Sequence, residues 1–216
     1  MIKIDENLTF CETTHTYYLR GREVPSPTQC LEEAGITNYW GIKGEVLDRA
    51  QAFGRCAHKI TEIYDNAILK GLPTALVRGW EETMGKDPTF APLLPYLQGW
   101  KDFLNNFDCE VVAIEKPVYS IRLRSAGTLD RVVGRRGSLI LIDIKTGTEI
   151  HPAVAFQTAA YQKMWEEMRL GKITERICVR LFENGYQREV FKSGTDLEVF
   201  KSALFITNVK RERKIR

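Results

Sequence analysis

The spacing of apolar residues changes along the chain from a helical period in the first half to a strand period in the second. Between residues 43 and 69, apolar side chains recur every three or four positions, which predicts one long helix that ends before Gly71 and Pro73. The apolar positions of this helix are Leu47, Ala50, Phe53, Ala57, Ile60, Tyr64 and Ala67. The same spacing predicts two shorter helices, over about 75–85 and 92–106.

Short strands followed by a capped helix are predicted for the N-terminal part. Residues 1–25 contain two short strand patterns around Gly21, which favours a reversal of the chain. Ser26 followed by Pro27 is typical of a helix start, and Gln29 three positions after the serine completes a capping box. Gly35 is then expected to end this helix.

After residue 108 the pattern predicts a β-sheet. Three stretches rich in Val, Ile and Leu follow one another, and residues 134–137 between the last two are typical of a hairpin turn. The stretches are 109–122, 126–134 and 138–145. They predict a three-strand meander in which the last strand, with the run LILI, lies in the interior of the sheet.

The last third predicts a crossover helix and two more strands. The helix runs from Pro152 to about Leu170, and the strands, joined at Asn184 and Gly185, are followed by a final helix from about Asp196. The two strands cover 175–183 and 186–191. This order of elements predicts an α/β fold with a mixed sheet. No linker divides the chain, so we expect a single domain over residues 1–216.

The composition is that of an ordinary globular protein. Its 216 residues are 44% hydrophobic and 27% charged, and the net charge of +3 excludes a histone-like polycation. No apolar run reaches membrane-spanning length, and the mixed, acidic start does not resemble a signal peptide. Five scattered cysteines without a CxxC pair favour reduced thiols in the cytoplasm. They are Cys11, Cys30, Cys56, Cys109 and Cys178.

Basic residues are concentrated in two places. Residues 118–137 contain five arginines against Asp130 alone, and residues 208–216 form a basic tail opposed by Glu212 alone. Two such patches allow local binding of a polyanion although the overall charge is small. Solvated surface residues and a solubilising tail are the simpler interpretation of the same pattern.

Two carboxylates and a lysine on neighbouring strands are the first candidates for chemistry. Asp143 and Lys145 lie two residues apart, so both point to the same face of their strand, and Asp130 lies on the strand before. Converging carboxylate oxygens suit Mg²⁺ or Mn²⁺. The lysine could position or deprotonate a water, or offset charge at a phosphoryl centre. A structural ion pair at a strand end is the alternative.

Further candidate residues flank this pair. His58 and Glu62 lie one turn apart on the long helix and could bind a metal or hydrogen-bond to its ligands, although a surface histidine is the ordinary alternative. Glu115 is a third candidate carboxylate or a strand-edge charge. Gln157 and Tyr161 share one face of the crossover helix, where core packing is the alternative for the tyrosine.

Taken together, these segments resemble the PD-(D/E)XK nuclease superfamily, and within it the RecB-type nuclease domain group with its mitochondrial and phage-encoded members. The resemblance rests on five segments in one order, and it departs from the nominal Pro-Asp in having Leu129 before Asp130. The segments are GRCAHKITE (54–62), EKPVY (115–119), GTLDRV (127–132), LIDIKTG (141–147) and QTAAY (157–161). HTYYLRGREVPSPTQCLEEAG also resembles the lead-in of this group, so most of the chain is covered.

The resemblance implies a fold and a set of residue roles. The core would be restriction-endonuclease-like over 109–207, with N-terminal strands and a helical part over 1–108. Asp130, Asp143, the carbonyl of Ile144 and His58 would hold Mg²⁺ or Mn²⁺, with Glu62 and Glu115 as additional candidates. Lys145 would orient the attacking water and stabilise the transition state, and Gln157 and Tyr161 would support the site or contact the substrate. Arg55, Arg131, Arg135 and Arg136 lie next to these motifs in sequence and are candidates for phosphate contacts, with solvation in a hairpin turn as the alternative for Arg135 and Arg136. No iron–sulfur cluster is expected, because Cys178 is alone in the last third.

The function implied by the resemblance is that of a metal-dependent DNA exonuclease acting on single strands or DNA ends. A structure-specific endonuclease and a non-catalytic DNA-binding protein on the same fold are the alternatives. The substrate partner would be DNA, with replication or recombination proteins as further candidate partners and no membrane association, in a bacterial or phage-infected cell. Tyr39, Trp40, Trp80 and Trp100 are candidates for stacking on bases, although core packing is the ordinary role of such residues.

Overall fold

The computed structural model describes residues 1–37, 43–183 and 185–215. Within these ranges the chain forms two β-sheets and six α-helices. The strands are β1 (Ile2–Lys3), β2 (Leu8–Cys11), β3 (Thr16–Leu19), β4 (Arg22–Val24), β5 (Glu110–Ser120), β6 (Ser125–Arg135), β7 (Ser138–Lys145), β8 (Ile173–Phe182) and β9 (Gly185–Phe191). The helices are α1 (Pro27–Glu33), α2 (Gly44–Leu69), α3 (Thr74–Lys86), α4 (Leu94–Phe107), α5 (Ala153–Glu167) and α6 (Asp196–Arg213).

The larger sheet has five strands in the order β5-β6-β7-β8-β9. β7 and β8 run parallel, whereas all other neighbours in this sheet run antiparallel. Parallel neighbours need a crossover connection, and α5 supplies it. The expected α/β fold with a mixed central sheet, flanking helices and N-terminal strands is therefore confirmed.

The central sheet is covered on both faces. Successive residues of β7 point to opposite faces, so Leu141 packs beneath α5 and α6 while Ile142 packs beneath α4. Trp100 and Phe103 of α4 are completely buried in the second of these cores. A strand covered on both faces must be apolar throughout, which accounts for the run LILI.

The N-terminal strands form a separate four-stranded antiparallel sheet in sequence order. It packs against β6, where the hydroxyl groups of Tyr17 and Thr128 lie 2.8 Å apart. The following helix α1 begins with the predicted capping box, in which the Ser26 hydroxyl accepts from the Gln29 N–H and the Gln29 side chain accepts from the Ser26 N–H. These contacts attach the N-terminal part to the central sheet.

The long helix α2 covers 26 residues, as its apolar periodicity predicts. Its buried positions include two polar residues, Thr61 and Asp65, besides Ala57 and Ile60. Among the helices in the described part of the chain, none has the length and apolar character needed to cross a lipid bilayer.

The residues predicted to form a basic tail are helical as far as Arg213. Lys210, Arg211 and Arg213 occupy the last turn of α6, where cations interact favourably with the helix dipole. Arg211 also pairs with Glu33 of α1 at 2.6 Å. A boundary at residue 208 therefore does not correspond to a structural boundary, while Arg216 lies outside the described residues.

A buried ion pair joins α2 to the central sheet. Arg131 Nε donates to Asp65 Oδ2 at 2.6 Å, and the two side chains are 0% and 1% exposed. The indole N–H of Trp100 donates to the other oxygen of Asp65 at 2.9 Å. Burial raises the pKa of Asp65 above its ordinary value, against the opposing effects of Arg131 and Trp100. The pair is tolerated in the interior because both oxygens of the carboxylate have partners.

We expect Asp65→Ala to lower the free energy of unfolding by about 3–5 kcal/mol, because it leaves the Arg131 guanidinium buried without its main counter-charge. Urea denaturation followed by circular dichroism measures the loss. Glu81→Ala is the matched control, since Glu81 pairs with Lys101 at 2.9 Å but the two side chains are 21% and 23% exposed. The control should cost at most about 1 kcal/mol. Equal losses in the two variants would contradict the expectation.

Candidate metal centre and active site

The pairing of β6 with β7 brings the two predicted aspartates together. Arg131 pairs with Ile142 in this antiparallel register. Asp130 precedes Arg131 on β6 and Asp143 follows Ile142 on β7. Because the strands are antiparallel, the two aspartates lie side by side. The Asp130 side chain is 13% exposed and that of Asp143 is 2% exposed.

Helix α2 carries His58 to the same place. The imidazole Nε2 lies 2.9 Å from the carbonyl oxygen of Ile144, and Nδ1 lies 3.7 Å from Asp130 Oδ1 and 3.8 Å from Glu115 Oε1. The helix passes close to the loop after β7, where a methyl group at Gly54 would sit 3.4 Å from Thr146 Oγ1. That is an ordinary contact distance, so a larger residue than glycine would also allow α2 to pass the loop after β7 at this point.

His58, Glu115 and Asp130 together form a group that could hold a metal ion. One ligand atom from each lies within 4.8 Å of the others. A nitrogen and carboxylate oxygens are donors that Mg²⁺ or Mn²⁺ accepts. The carbonyl of Ile144, predicted as a ligand, faces His58 Nε2, and the Ile144 N–H donates to Asp130 Oδ2 at 2.7 Å.

Asp143 lies beside this group and is turned toward Lys145. Its Oδ2 is buried and makes no hydrogen bond, although Lys145 Nζ is only 2.7 Å away. The short distance is an attraction between charges without hydrogen-bond geometry. Asp143, predicted as a metal ligand, is therefore not among the three residues whose ligand atoms converge, and its Oδ2 has the Lys145 ammonium as its charged partner.

The charges of these groups perturb one another strongly. Burial raises the pKa of Asp143 to about 6, since the attraction of Lys145 offsets only part of the desolvation cost. Burial acts to lower the pKa of Lys145, but the carboxylates of Asp143 and Asp130 outweigh it and raise that pKa. The pKa of His58 is raised in the same way, because Asp130 and Glu115 outweigh the effect of burial. Lys145 is therefore a cation at neutral pH.

Tyr161 of α5 lies against the strand that carries Asp130, and Gln157 of the same helix approaches Thr28 of α1 at 3.5 Å. Tyr161 is 5% exposed, and a methyl group at Gly127 would come within 2.9 Å of its ring and 3.1 Å of Pro27. Only glycine fits so close an approach, which gives the glycine of GTLD its role. Burial raises the pKa of Tyr161, partly offset by a hydrogen bond with Gln157.

Two further predicted residues of α2 lie away from the metal-capable group. Glu62 pairs with Lys59 at 2.9 Å on the helix surface and is not part of the group. Arg55 is exposed on α2, one turn before His58, and its contact with a phosphate stays a prediction.

Arg131 corrects one prediction. It was expected to contact phosphates, yet its side chain is completely buried. All three guanidinium nitrogens donate to protein oxygens of Asp65, Glu115, Thr61 and the Asp130 backbone. Four of the five guanidinium N–H groups are used in this way, and complete burial of the side chain keeps a phosphate from reaching the fifth.

Arg135 and Arg136 are also displaced from the predicted role. They follow Asp130 by five and six residues on or after β6, which places them about 17 Å or more along the strand from the site. Arg135 Nε donates to the Phe107 carbonyl, and the guanidinium stacks over the Phe107 ring at 4.3 Å. Arginines close in sequence to the aspartate are therefore at the far end of the sheet.

The aromatic residues considered for base stacking have ordinary structural roles where they are described. Trp100 is completely buried and donates to Asp65, and Trp80 packs against the apolar cluster between α2 and α4. Tyr39 and Trp40 lie outside the described residues.

Asp65 and Thr61 belong to the surroundings of the site and were missed from the sequence. Both occur on the buried face of α2, four residues apart. A charged residue on the apolar face of a predicted helix is a signal that could have identified Asp65. Its partner, 66 residues later, could not be assigned without the fold.

Comparison with known proteins identifies the family. The sequence profile of the PD-(D/E)XK nuclease superfamily matches residues 29–203. No curated protein matches the chain. A solved structure, described as the crystal structure of SSO0001, is similar at 15% sequence identity. The match covers 68% of this chain and 69% of that one, with a TM-score of 0.35. The family match covers most of the chain and includes every residue of the site, and the chain therefore belongs to the PD-(D/E)XK nuclease superfamily.

Proposed function

We propose that this protein is a Mg²⁺- or Mn²⁺-dependent deoxyribonuclease that removes nucleotides from single-stranded DNA or from DNA ends. The observation that carries the proposal is the convergence of His58, Glu115 and Asp130 beside the buried Asp143–Lys145 pair. The superfamily membership supplies the reaction class, which is hydrolysis of phosphodiester bonds.

The residues around the site have distinct roles in this reaction. His58, Glu115 and Asp130 would hold the cation, with the neighbouring Asp143 carboxylate as a further ligand once it turns from Lys145. When bound, the cation supplies charge neutralisation at the phosphate and a lower pKa for a water. Tyr161 would support the Asp130 strand through its close contact at Gly127, and Gln157 would orient the tyrosine through their hydrogen bond.

Lys145 acts in the proposal as a fixed cation. Its raised pKa keeps it protonated at neutral pH, so it cannot accept the proton of the attacking water. Its side chain is 33% exposed, which leaves the ammonium group able to reach a bound phosphate. It would orient the water and stabilise the negative charge that develops on the phosphorane oxygens.

The buried carboxylate argues against a non-catalytic role. Burying the Asp143 carboxylate costs desolvation free energy that its ion pair with Lys145 offsets only in part, and a binding scaffold has no need of that cost. Charged groups with strongly perturbed pKa values cluster at sites where they serve a ligand or a reaction.

Action on strand ends is the finer part of the proposal. It rests on the resemblance to the RecB-type group. The side chains of His58, Glu115 and Asp130 are 26%, 30% and 13% exposed, so a strand must approach closely to place a phosphate at the site. A flexible single strand meets that requirement more readily than a rigid duplex.

We expect Lys145→Ala to reduce Mn²⁺-dependent DNA hydrolysis at least about 100-fold, because it removes the cation that stabilises the developing charge. Release of acid-soluble nucleotides measures the rate, and circular dichroism checks the fold. Lys59→Ala is the control, since Lys59 also pairs with a carboxylate at 2.9 Å but is 64% exposed. Full activity in Lys145→Ala would refute the assignment.

Linear and covalently closed circular single strands of equal length separate the exonuclease from an endonuclease. We expect rapid loss of the linear strand and survival of the circle, since an enzyme that needs an end has no substrate in the circle. Gel electrophoresis after digestion with Mn²⁺ gives the answer. Cleavage of the circle at a similar rate would establish the endonuclease instead.

Binding of Mn²⁺ should weaken as the pH falls below about 6. The raised pKa of Asp143 means that its carboxyl is protonated below that value, and a metal ligand must lose its proton. His58 acts in the same direction, because it must be neutral to bind. Calorimetry should give a loss approaching about tenfold per pH unit for each proton displaced. Asp143→Asn should flatten this dependence, and an unchanged slope would contradict the role of Asp143.

A further inference from the structure

Arg131 is connected to every member of the metal-capable group. Its NH1 donates to Glu115 Oε1 at 2.8 Å and to the backbone carbonyl of Asp130 at 2.7 Å. Its NH2 donates to Thr61 Oγ1 at 3.1 Å, and that hydroxyl donates to the carbonyl of His58 at 2.9 Å. The Arg131 guanidinium therefore contacts the side chain of Glu115 directly. It contacts Asp130 through that residue's backbone carbonyl, and it is linked to the backbone of His58 through Thr61.

Glu115 needs such a restraint more than its neighbours. Its backbone φ of +41° lies in the left-handed region, although it is not glycine and belongs to β5. A residue in that region persists only when its surroundings hold it there. A carboxylate has about four lone-pair positions, so accepting from Arg131 at Oε1 leaves acceptor capacity for a metal ion.

The negative charge of Asp65 offsets the repulsion that Arg131 would exert on a metal ion. A bare guanidinium this close would repel a divalent cation. Asp65 Oδ2 lies 2.6 Å from Arg131 Nε, and both side chains are buried, so the two charges largely cancel. The group that holds the ligands thus adds little positive charge to the site.

We propose that Arg131, with Asp65 as its counter-charge, is a positioning residue that holds Glu115, Asp130 and His58 at the spacing required by a divalent cation. The inference rests on the metal dependence of the proposed function. Arg131 acts through the ligands and touches neither the metal nor the DNA.

The test is the affinity for Mn²⁺, measured by calorimetry on the full chain without DNA. Arg131→Lys keeps the charge but loses the planar fork, so it cannot bond Asp65, Glu115 and Thr61 together. We expect about 10- to 100-fold weaker binding, as for other residues that orient metal ligands. An unchanged affinity in folded Arg131→Lys would overturn the proposal.

A second buried arginine provides the matched control. Arg176 of β8 lies 2.8 Å from Asp196 of α6, with side chains 7% and 8% exposed, and does not contact the metal-capable group. Arg176→Lys should lower the unfolding midpoint in urea but leave the Mn²⁺ affinity unchanged. If both variants weaken Mn²⁺ binding equally, the effect is general loosening of the fold and the proposal fails.

Combining Arg131→Lys with Glu115→Ala tests the route of the effect, since alanine removes the oxygen that accepts from Arg131. If Arg131 acts mainly through Glu115, the arginine substitution should weaken Mn²⁺ binding less in the Glu115→Ala background than in the unmodified protein. An equal loss in both backgrounds would instead support the routes through the backbones of Asp130 and His58.

If Arg131→Lys does not fold, Thr61→Val is the variant whose Mn²⁺ affinity tests the proposal. It removes the hydroxyl that links Arg131 to the His58 backbone while keeping the shape of the side chain. A loss of a few-fold in Mn²⁺ affinity supports the proposal, and an unchanged affinity overturns it. Mn²⁺ binding without DNA hydrolysis by the unmodified protein would sink the proposed nuclease function but leave this inference standing.

Discussion

The buried pair of Arg131 and Asp65 is the interaction on which the rest of this structure depends. It joins the long helix α2 to the central sheet with two side chains that are almost completely buried. A single unpaired charge in that place would be strongly destabilising, so each residue requires the other. The remaining guanidinium nitrogens then extend the connection to Glu115, Thr61 and the Asp130 backbone. The Arg131 guanidinium therefore contacts both the residue that joins α2 to the sheet and residues of the candidate metal site.

The site itself contains charges that only partly balance one another. His58, Glu115 and Asp130 leave a surplus of negative charge, and Asp143 keeps a buried oxygen without a hydrogen bond beside Lys145. A divalent cation would offset this charge, which is why the proposed function requires metal before the site accepts a phosphate. The candidate metal site is therefore defined by its charged side chains and not by an apolar cavity.

Much of the architecture follows from short-range patterns. The apolar repeat of α2, the capping box at Ser26 and the runs of Val, Ile and Leu in β5 to β7 are local signals, and each produces the predicted element within a few residues. Arg131, Arg135 and Arg136 illustrate the limit of such reasoning. Their closeness to Asp130 in sequence suggested phosphate contacts, yet one is buried and the others lie at the far end of the strand, because position along a strand separates residues quickly.

The sequence by itself determined the order of helices and strands, the family, and the candidates Asp130, Asp143, Lys145 and His58, because periodicity and motif spacing are properties of neighbouring residues. Only the tertiary structure decided that Glu115 joins His58 and Asp130, that Asp143 faces Lys145, and that Asp65 neutralises Arg131. Apart from Asp143 and Lys145, which are two residues apart, these contacts join residues far apart in the chain. Their strength depends on burial, which removes water from the charges and has no counterpart in local sequence.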